Sequence, residues 1–223
     1  MGIGKTIVEK EFKGVFTDSE HLFTRNMNPT ERVYGERLYS QGAEEYREWM
    51  PSRSKLAAYL RLGGRFFPFV EDTRVLYLGA ASGTTASHIS DIVTKGTVYC
   101  VEISPRSFRD LVMLCEKRKN MVPILADAAR PGDYKFMVEN VQTVYQDVAQ
   151  KNQTSIFIKN MEMFGASNGM IAIKARSEDV TRDPESIFRE AGSDLRTKGF
   201  KVVEVVPLEP LEKDHAMIAV KRK

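Results

Sequence analysis

A turn of small residues after an apolar segment is the part of this sequence that could best bind a small molecule. Val75–Leu78 is apolar, Gly79–Gly83 is made of small residues, and a helical pattern begins at Thr84. Small residues at such a strand–helix turn let the backbone approach a ligand closely. The first N–H groups of the helix would favour an anion or a carboxylate. We therefore predict a ligand site here, with a tight turn that binds nothing as the alternative.

The glycine pattern of this turn discriminates between ligands. A dinucleotide-binding turn has the pattern G-x-G-x-x-G, and Ala81 stands in place of its middle glycine. No lysine of the P-loop type follows the turn. Tyr77, Gly79, Ala81 and Gly83 keep two glycines of the D-x-G-x-G-x-G pattern of methyltransferases. The turn therefore favours a methyltransferase over an NAD-binding oxidoreductase.

Acidic residues follow three successive predicted strands. Glu102 ends the strand after the turn. In nucleotide-binding folds, an acid roughly 20 residues after the turn pairs with ribose hydroxyls. Asp127 and Asp147 follow the next two strands. Ligands of open α/β sheets bind beyond the carboxyl ends of the strands. Three acids in such places indicate a ligand site more strongly than any one of them, which alone could be a surface charge.

Strands and helices alternate along most of the chain after Pro51. This alternation predicts parallel βαβ units, and the last two strands, with no helix between them, predict an antiparallel edge. The expected fold is α/β: a class I methyltransferase (Rossmann-like), seven-stranded, mostly parallel sheet with helices on both faces. The predicted strands are Val75–Leu78, Thr97–Val101, Val122–Leu125, Thr143–Gln146, Met170–Ala175, Phe200–Val206 and His215–Val220. The predicted helices are Ser52–Leu62, Thr84–Val93, one that begins at Pro105, Thr154–Met163 and Pro184–Thr197.

The first 50 residues show short β patterns separated by turns, without a helical period. We predict a small N-terminal antiparallel β domain over residues 1–50 and a second domain over residues 51–223. The predicted N-terminal strands are Thr6–Phe12, Gly14–Phe16, His21–Thr24, Arg37–Tyr39 and Glu45–Trp49.

Composition narrows the class of protein. The chain has 223 residues, a formal net charge of +3 and two cysteines. Cys100 and Cys115 lie in apolar patterns, so we expect buried free thiols and an intracellular protein. No apolar run reaches the roughly 18 residues of a membrane span, and no signal peptide is expected. The weak positive charge does not by itself predict nucleic-acid binding. His21 and His88 lack partners at metal-ligand spacing, so no metal site is expected.

Seven motifs, in order and spacing, resemble those of archaeal fibrillarin-like methyltransferases from about residue 30 to the end. They are PSRSKLAA, GAASGTTASHISDIV, VEISPRS, ILADAARP, YQDVAQ, IKARS and EKDHAMI. The resemblance implies a methyltransferase domain that uses S-adenosyl-L-methionine, preceded by a small β domain. The chain lacks the Gly/Arg-rich extension of eukaryotic fibrillarins, so we expect the archaeal, cytoplasmic type.

The resemblance also implies a set of cofactor-binding residues. Thr84 and Thr85 would contact the cofactor at the turn, Glu102 would hold the ribose, and Ile103 would stack on the adenine. Family members often carry an aromatic residue in place of Ile103, so this stacking is expected to be weaker here. Asp127 and Ala128 would meet the adenine, and Asp147 to Gln150 the methionine end. The full set is Gly79, Ala81, Gly83, Thr84, Thr85, Glu102, Ile103, Asp127, Ala128, Asp147, Val148, Ala149 and Gln150.

Four residues from distant parts of the chain match the catalytic set of RNA 2′-O-methyltransferases. They are Lys55, Asp147, Lys174 and His215. We hypothesise that Lys174 is the base, that Asp147 orients it, and that Lys55 and His215 orient the ribose and its phosphates. Without the resemblance, each lysine could be a solvated surface charge and the histidine a structural one.

The resemblance implies a catalytic subunit that modifies pre-rRNA, and tRNA as a second candidate, within a box C/D guide RNA particle. Its partners would be the guide RNA, the target rRNA, a Nop-family scaffold protein and a kink-turn-binding ribosomal-type protein, and no membrane association is expected.

Two alternative functions stay open at this point. One is a class I methyltransferase with another substrate class, and the other is a non-catalytic ribonucleoprotein scaffold.

Overall fold

Two β-sheets organise the chain in the computed structural model, which describes residues 6–223. The N-terminal sheet consists of β1 (Val8–Glu9), β2 (Phe16–Thr17), β3 (Leu22–Arg25), β4 (Leu38–Gln41) and β5 (Glu44–Glu48). The central sheet consists of β6 (Arg74–Leu78), β7 (Thr97–Glu102), β8 (Met121–Leu125), β9 (Thr143–Gln146), β10 (Asn168–Lys174), β11 (Phe200–Pro207) and β12 (His215–Arg222). The helices are α1 (Lys55–Arg61), α2 (Thr84–Ile92), α3 (Pro105–Lys117), α4 (Gln153–Phe164), α5 (Ala175–Glu178) and α6 (Pro184–Thr197).

The central sheet has the strand order β11-β12-β10-β9-β6-β7-β8. Strand β12 runs antiparallel to both of its neighbours, and the other pairings in the sheet are parallel. This confirms the predicted seven-stranded, mostly parallel sheet. The chain passes from β6 to β7 on one side and returns to β9 on the other, so the strand order reverses at β6. Such a reversal opens a crevice at the carboxyl ends of the strands, where ligands bind.

Apolar side chains cover both faces of the central sheet. Phe157 of α4 and Leu195 of α6 belong to one buried cluster. Leu56 of α1, Ile89 of α2 and Leu111 of α3 belong to the other. Both cysteines are free and buried, as expected. The helices therefore pack on both faces and leave the strand ends open, and none within residues 6–223 is long and apolar enough to cross a membrane.

Helix α1 begins later than the sequence predicts. Pro51–Arg53 forms a 3₁₀ turn, and Ser54 is extended (φ −153°), so the predicted helix Ser52–Leu62 is interrupted at Ser54. The Ser54 hydroxyl accepts a hydrogen bond from Ala57 N and caps the helix. Lys55 is therefore the first residue of α1. Helix α5, a single turn directly after β10, is absent from the prediction because four residues carry no periodicity.

A buried ionic cluster joins the N-terminal sheet to the central domain. Arg47 of β5 contacts Glu36 at 2.7 Å and Asp91 of α2 at 2.8 Å. Arg118, just after α3, contacts the other Asp91 oxygen at 2.7 Å. All four side chains are at most 1% exposed. Because a buried charge without a partner is very unfavourable, each of these residues depends on the others.

His88 lies beside this cluster as a buried neutral ring. Its Nδ1 is 2.7 Å from Thr24 Oγ1, and its Nε2 is 2.8 Å from the Tyr34 hydroxyl. The ring stacks on Trp49 at 5.0 Å between centroids. Burial, and then the cations Arg47 and Arg118, lower the pKa of His88 well below its ordinary value of 6.5.

The pKa of His88 predicts how stability depends on pH. The unfolded chain takes up a proton on this residue below about pH 6.5, and the folded chain does not, so unfolding is favoured as the pH falls. We expect the free energy of unfolding to drop by about 1.4 kcal/mol per pH unit below that point. Urea denaturation between pH 5 and pH 7.5 measures this slope. His88→Gln is expected to flatten it, and an unchanged slope would contradict the assignment.

Candidate active site

A cavity of about 310 Å³ lies at the carboxyl ends of β6 to β10. This volume is at the lower end of the range of small-molecule sites, about 300–1,000 Å³. Its wall contains most of the predicted cofactor-binding residues, and also Lys174. The lining residues are Gly79, Ala81, Val101, Glu102, Ile103, Ala126, Ala128, Asp147, Val148, Ala149, Gln150 and Lys174. Val101 and Ala126 were missed because they are ordinary apolar residues next to the predicted acids.

The turn after β6 is shaped by close contact between two backbones. Gly79 has φ +79°, and a Cβ atom there would lie 2.6 Å from the carbonyl oxygen of Asp147. A side chain at this position would therefore push the ends of β6 and β9 apart. Ala81 has φ +49°, a left-handed conformation that is uncommon for residues other than glycine. Its N–H donates a 2.8 Å hydrogen bond to Glu102 Oε2, which holds the turn in place.

Glu102 connects this turn to the next helix. One carboxylate oxygen accepts from Ala81 N at 2.8 Å, and the other accepts from Ser104 N at 2.7 Å. The residue is 8% exposed and borders the cavity. An ionised carboxylate can accept about four hydrogen bonds, so Glu102 retains capacity for two hydroxyl groups of a ligand.

Apolar groups form another part of the wall. Ile103 is 52% exposed beside the cavity, and Ala126 and Ala128 line it as well. Asp127 itself is not among the lining residues, since its Oδ1 accepts from Ala129 N at 2.9 Å and from Gln150 Nε2 at 3.2 Å. Asp127 therefore holds Gln150 in the wall. This arrangement suits a flat, partly apolar ring with polar edges.

Three other predicted residues also lie outside the wall. Gly83 has φ +92° and precedes α2, where a Cβ atom would lie 2.4 Å from Leu114 Cδ2, so helix packing alone explains this glycine. Thr85 is buried, and its hydroxyl donates to Ser54 Oγ at 2.9 Å. Thr84 is the first residue of α2. Contacts of these residues with a cofactor stay predictions.

Two lysines share one aspartate at the edge of the cavity. Lys55 Nζ lies 3.2 Å from Asp147 Oδ2, and Lys174 Nζ lies 2.9 Å from Asp147 Oδ1. The three side chains are 16–18% exposed. Beneath them, burial and then the Asp147 carboxylate raise the pKa of Tyr77 well above 10, so it stays a neutral phenol. The structure thus brings together three of the four residues predicted to be catalytic, although they come from distant parts of the chain.

The fourth residue, His215, lies on the neighbouring strand. It is the direct partner of Lys174 in the antiparallel pairing of β10 and β12. Residues directly opposite in such a pair project their side chains to the same face of the sheet. The His215 Nδ1 faces the carbonyl oxygen of Lys213 at 2.5 Å, which orients the ring. His215 therefore lies beside Lys174, outside the residues that line the cavity.

Over residues 6–223, no cluster of His, Cys, Asp and Glu side chains is arranged to hold a metal ion. The ionisable groups in the cavity wall or beside it are two amines, two carboxylates and an imidazole, from Lys55, Lys174, Glu102, Asp147 and His215. These groups can bind hydroxyls and phosphates, and they can transfer protons.

The fold and the crevice at β6 define a class I methyltransferase of Rossmann-like architecture. The particular family follows from comparison with known proteins: the fibrillarin family model matches residues 7–223. The chain therefore belongs to the fibrillarin family.

Individual relatives agree with this assignment. The chain is 54% identical over 215 residues to a fibrillarin-like rRNA/tRNA 2′-O-methyltransferase of Methanothermobacter thermautotrophicus, covering 96% of each chain. Aeropyrum pernix fibrillarin, solved with natively bound S-adenosyl-L-methionine, superposes with a TM-score of 0.88 at 43% identity, covering 96% of this chain and 97% of that one. A fibrillarin solved in complex with Nop5p has a TM-score of 0.88 at 41% identity, covering 96% of this chain and 100% of that one.

Proposed function

We propose that this chain transfers methyl groups from S-adenosyl-L-methionine to ribose 2′-hydroxyls of RNA. The observation that carries the proposal is the cluster of Lys55, Asp147 and Lys174 at the edge of the cavity. A methyltransferase for other substrates would need the cavity but would not need two lysines on one carboxylate beside it. The proposed substrates are pre-rRNA and, as a second candidate, tRNA, in line with the name of the Methanothermobacter relative.

The residues of the cavity fit this cofactor. Glu102 would accept hydrogen bonds from the ribose hydroxyls, and Ile103 and Ala128 would pack against the adenine. Gln150, held by Asp127, and the segment from Asp147 would contact the methionine end. The cofactor supplies a methyl group on a positively charged sulfur, which is a good leaving group.

The side chains around the cavity would carry out proton transfer and positioning. Lys174 would act as the base that takes the proton of the 2′-hydroxyl while the ribose oxygen bonds to the methyl carbon and the carbon–sulfur bond breaks. Asp147 would orient Lys174, and Lys55 and His215 would hold the ribose and its phosphates. Positioning of this kind can contribute roughly 7–11 kcal/mol to the lowering of a barrier.

We further propose that the chain works as the catalytic subunit of a box C/D guide RNA particle. Its net charge is only +3. Because RNA binding depends largely on positive charges that contact phosphates, partners would supply most of these contacts. A guide RNA would then select the target by base pairing. A Nop-family scaffold, supported by the fibrillarin–Nop5p complex, would dock the enzyme, and a kink-turn-binding protein would complete the particle. The two buried free thiols fit a cytoplasmic location.

Reconstitution tests this function. We expect site-specific methylation when the chain is combined with a guide RNA, the scaffold and the kink-turn-binding protein, and little methylation of naked RNA by the chain alone. Nucleoside analysis distinguishes 2′-O-methylribose from base methylation. Robust site-specific methylation by the isolated chain would contradict the dependence on partners.

Substitution of Gly79 tests the cofactor site. In Gly79→Ala the new Cβ atom would lie 2.6 Å from the Asp147 carbonyl oxygen, at φ +79°. Backbone strain of this kind costs about 1–3 kcal/mol, so we expect S-adenosyl-L-methionine to bind about 5- to 150-fold more weakly. Isothermal titration calorimetry measures the affinity.

Gly132→Ala is the matched control, because nothing lies within 4 Å of a Cβ atom there. We expect its affinity to equal that of the unmodified chain. Titration with NAD serves as a second control, and tighter binding of NAD than of S-adenosyl-L-methionine would contradict the proposed cofactor.

A further inference from the structure

Strands β9 and β10 separate before they reach the active site. Their parallel pairing ends at Ile171 and Gln146. Asp147 is the next residue after β9, while Lys174 lies three residues beyond Ile171 on β10. The main chain of Lys174 therefore has no partner strand on the β9 side.

The side chain of Gln153 occupies the place of the missing strand. Lys174 N donates a 2.9 Å hydrogen bond to Gln153 Oε1, and Gln153 Nε2 donates a 3.0 Å hydrogen bond to the Lys174 carbonyl. One amide group thus makes both hydrogen bonds that a neighbouring strand would have made. Gln153 is fully buried and does not line the cavity, so it is shielded from any ligand there.

Gln153 is itself held from two sides. Its N–H donates to Glu178 Oε1 at 2.6 Å, and its carbonyl oxygen accepts from Gln146 Nε2 at 2.8 Å. Gln146 is the residue directly before Asp147. Through these contacts Gln153 connects the backbone that carries Lys174 to the backbone that carries Asp147.

We propose that Gln153 is a positioning residue for methyl transfer, which places the Lys174 amine against the Asp147 carboxylate. This inference rests on the proposed function. Gln153 does not border the cavity and acts through the backbone of Lys174, whose Nζ lies 2.9 Å from Asp147 Oδ1. A shift of the Lys174 backbone would move the amine relative to the 2′-hydroxyl, and a displacement of about 1 Å in an active site can cost about 100-fold in rate.

The variant Gln153→Met tests this role, because methionine has a similar length and cannot make either hydrogen bond. In the reconstituted particle we expect the single-turnover rate at saturating S-adenosyl-L-methionine and RNA to fall about 10- to 100-fold. The KM for S-adenosyl-L-methionine should stay within about twofold, since Gln153 does not line the cavity. A crystal structure of the variant should show Lys174 Nζ displaced from Asp147 Oδ1.

The chain contains a matched control for the loss of this bridge. Gln41 makes the same pair of hydrogen bonds with the main chain of Ile7, at 2.8 and 2.9 Å, in the N-terminal sheet. Gln41→Met therefore removes an equivalent bridge away from the cavity, and we expect it to leave the rate unchanged. An equal loss of rate in both variants would overturn the proposal, because it would indicate a general effect on folding.

A second variant keeps the test decisive where Gln153→Met does not fold. Gln153→Asn keeps the amide group without adding a charge but is one methylene shorter, so both hydrogen bonds to the main chain of Lys174 are weakened, and we expect a smaller loss of rate. A rate equal to that of the unmodified particle, or a loss that appears only in the KM for S-adenosyl-L-methionine, would overturn the proposal. Failure of the unmodified particle to methylate RNA would instead count against the proposed function.

Discussion

Replacement of Lys174 by methionine is expected to lower the single-turnover rate of methyl transfer in the reconstituted particle by about 10²- to 10⁴-fold, the usual contribution of a general base. Lys174 borders the cavity, and its amine lies 2.9 Å from Asp147 Oδ1. It is thus the lysine of the cluster that would face both the proposed methyl donor and an incoming hydroxyl. Quench-flow measurement with labelled S-adenosyl-L-methionine at saturating RNA gives the rate.

Two further lysine variants distinguish a lysine that acts as the base from a lysine whose positive charge only binds RNA. Lys55 contacts the same aspartate at 3.2 Å but does not line the cavity. We therefore expect Lys55→Met to act more on the binding of RNA than on the rate at saturation. Lys159 is exposed on α4, and Lys159→Met should behave like the unmodified chain. A Lys174→Met particle that retains most of its single-turnover rate would refute the assignment of the base.

Replacement of Asp91 by asparagine is expected to destabilise the fold by about 3–5 kcal/mol, the range for removal of one partner from a buried ion pair. Asp91 accepts from Arg47 at 2.8 Å and from Arg118 at 2.7 Å, and its side chain is fully buried. The variant leaves two buried guanidinium groups, with Glu36 as the remaining carboxylate of the cluster. Urea denaturation at pH 7.5 measures the loss.

A surface ion pair provides the control for this substitution. Lys117 and Glu31 are 2.7 Å apart, with side chains that are 58% and 48% exposed. Glu31→Gln should cost about 0–1 kcal/mol, as for other exposed pairs. Similar losses for Asp91→Asn and Glu31→Gln would contradict the view that the N-terminal sheet is held by a buried ionic cluster.

Much of the fold could be predicted from the sequence because it follows from periodicity. Alternating strand and helix patterns predict parallel units, and the absence of a helix between β11 and β12 predicts the antiparallel edge. The small residues from Gly79 and the acid at Glu102 mark the cavity through chemistry that is local in the chain. For Lys55 and His215 no local signal exists, and only the resemblance to a family of known enzymes indicated them.

Some structural roles could not be predicted because they depend on contacts between residues that are distant in the sequence. Gln153 matters because two strands diverge, and no pattern in the sequence marks that point. Arg47 lies in a strand where a charged residue usually faces solvent, yet here it pairs with Asp91 from another part of the chain. The sequence predicted one helix from Ser52, whereas in the structure Ser54 interrupts it. The Ser54 hydroxyl accepts hydrogen bonds from Trp49 and Thr85.

The most direct test of the account follows a labelled methyl group from S-adenosyl-L-methionine into RNA in the fully reconstituted particle. We expect digestion to yield the label on a 2′-O-methylated nucleoside, at the position that the guide selects, and we expect Asp147→Asn to remove this product. Label found on a base or on protein, or full yield from the Asp147→Asn particle, would contradict the account.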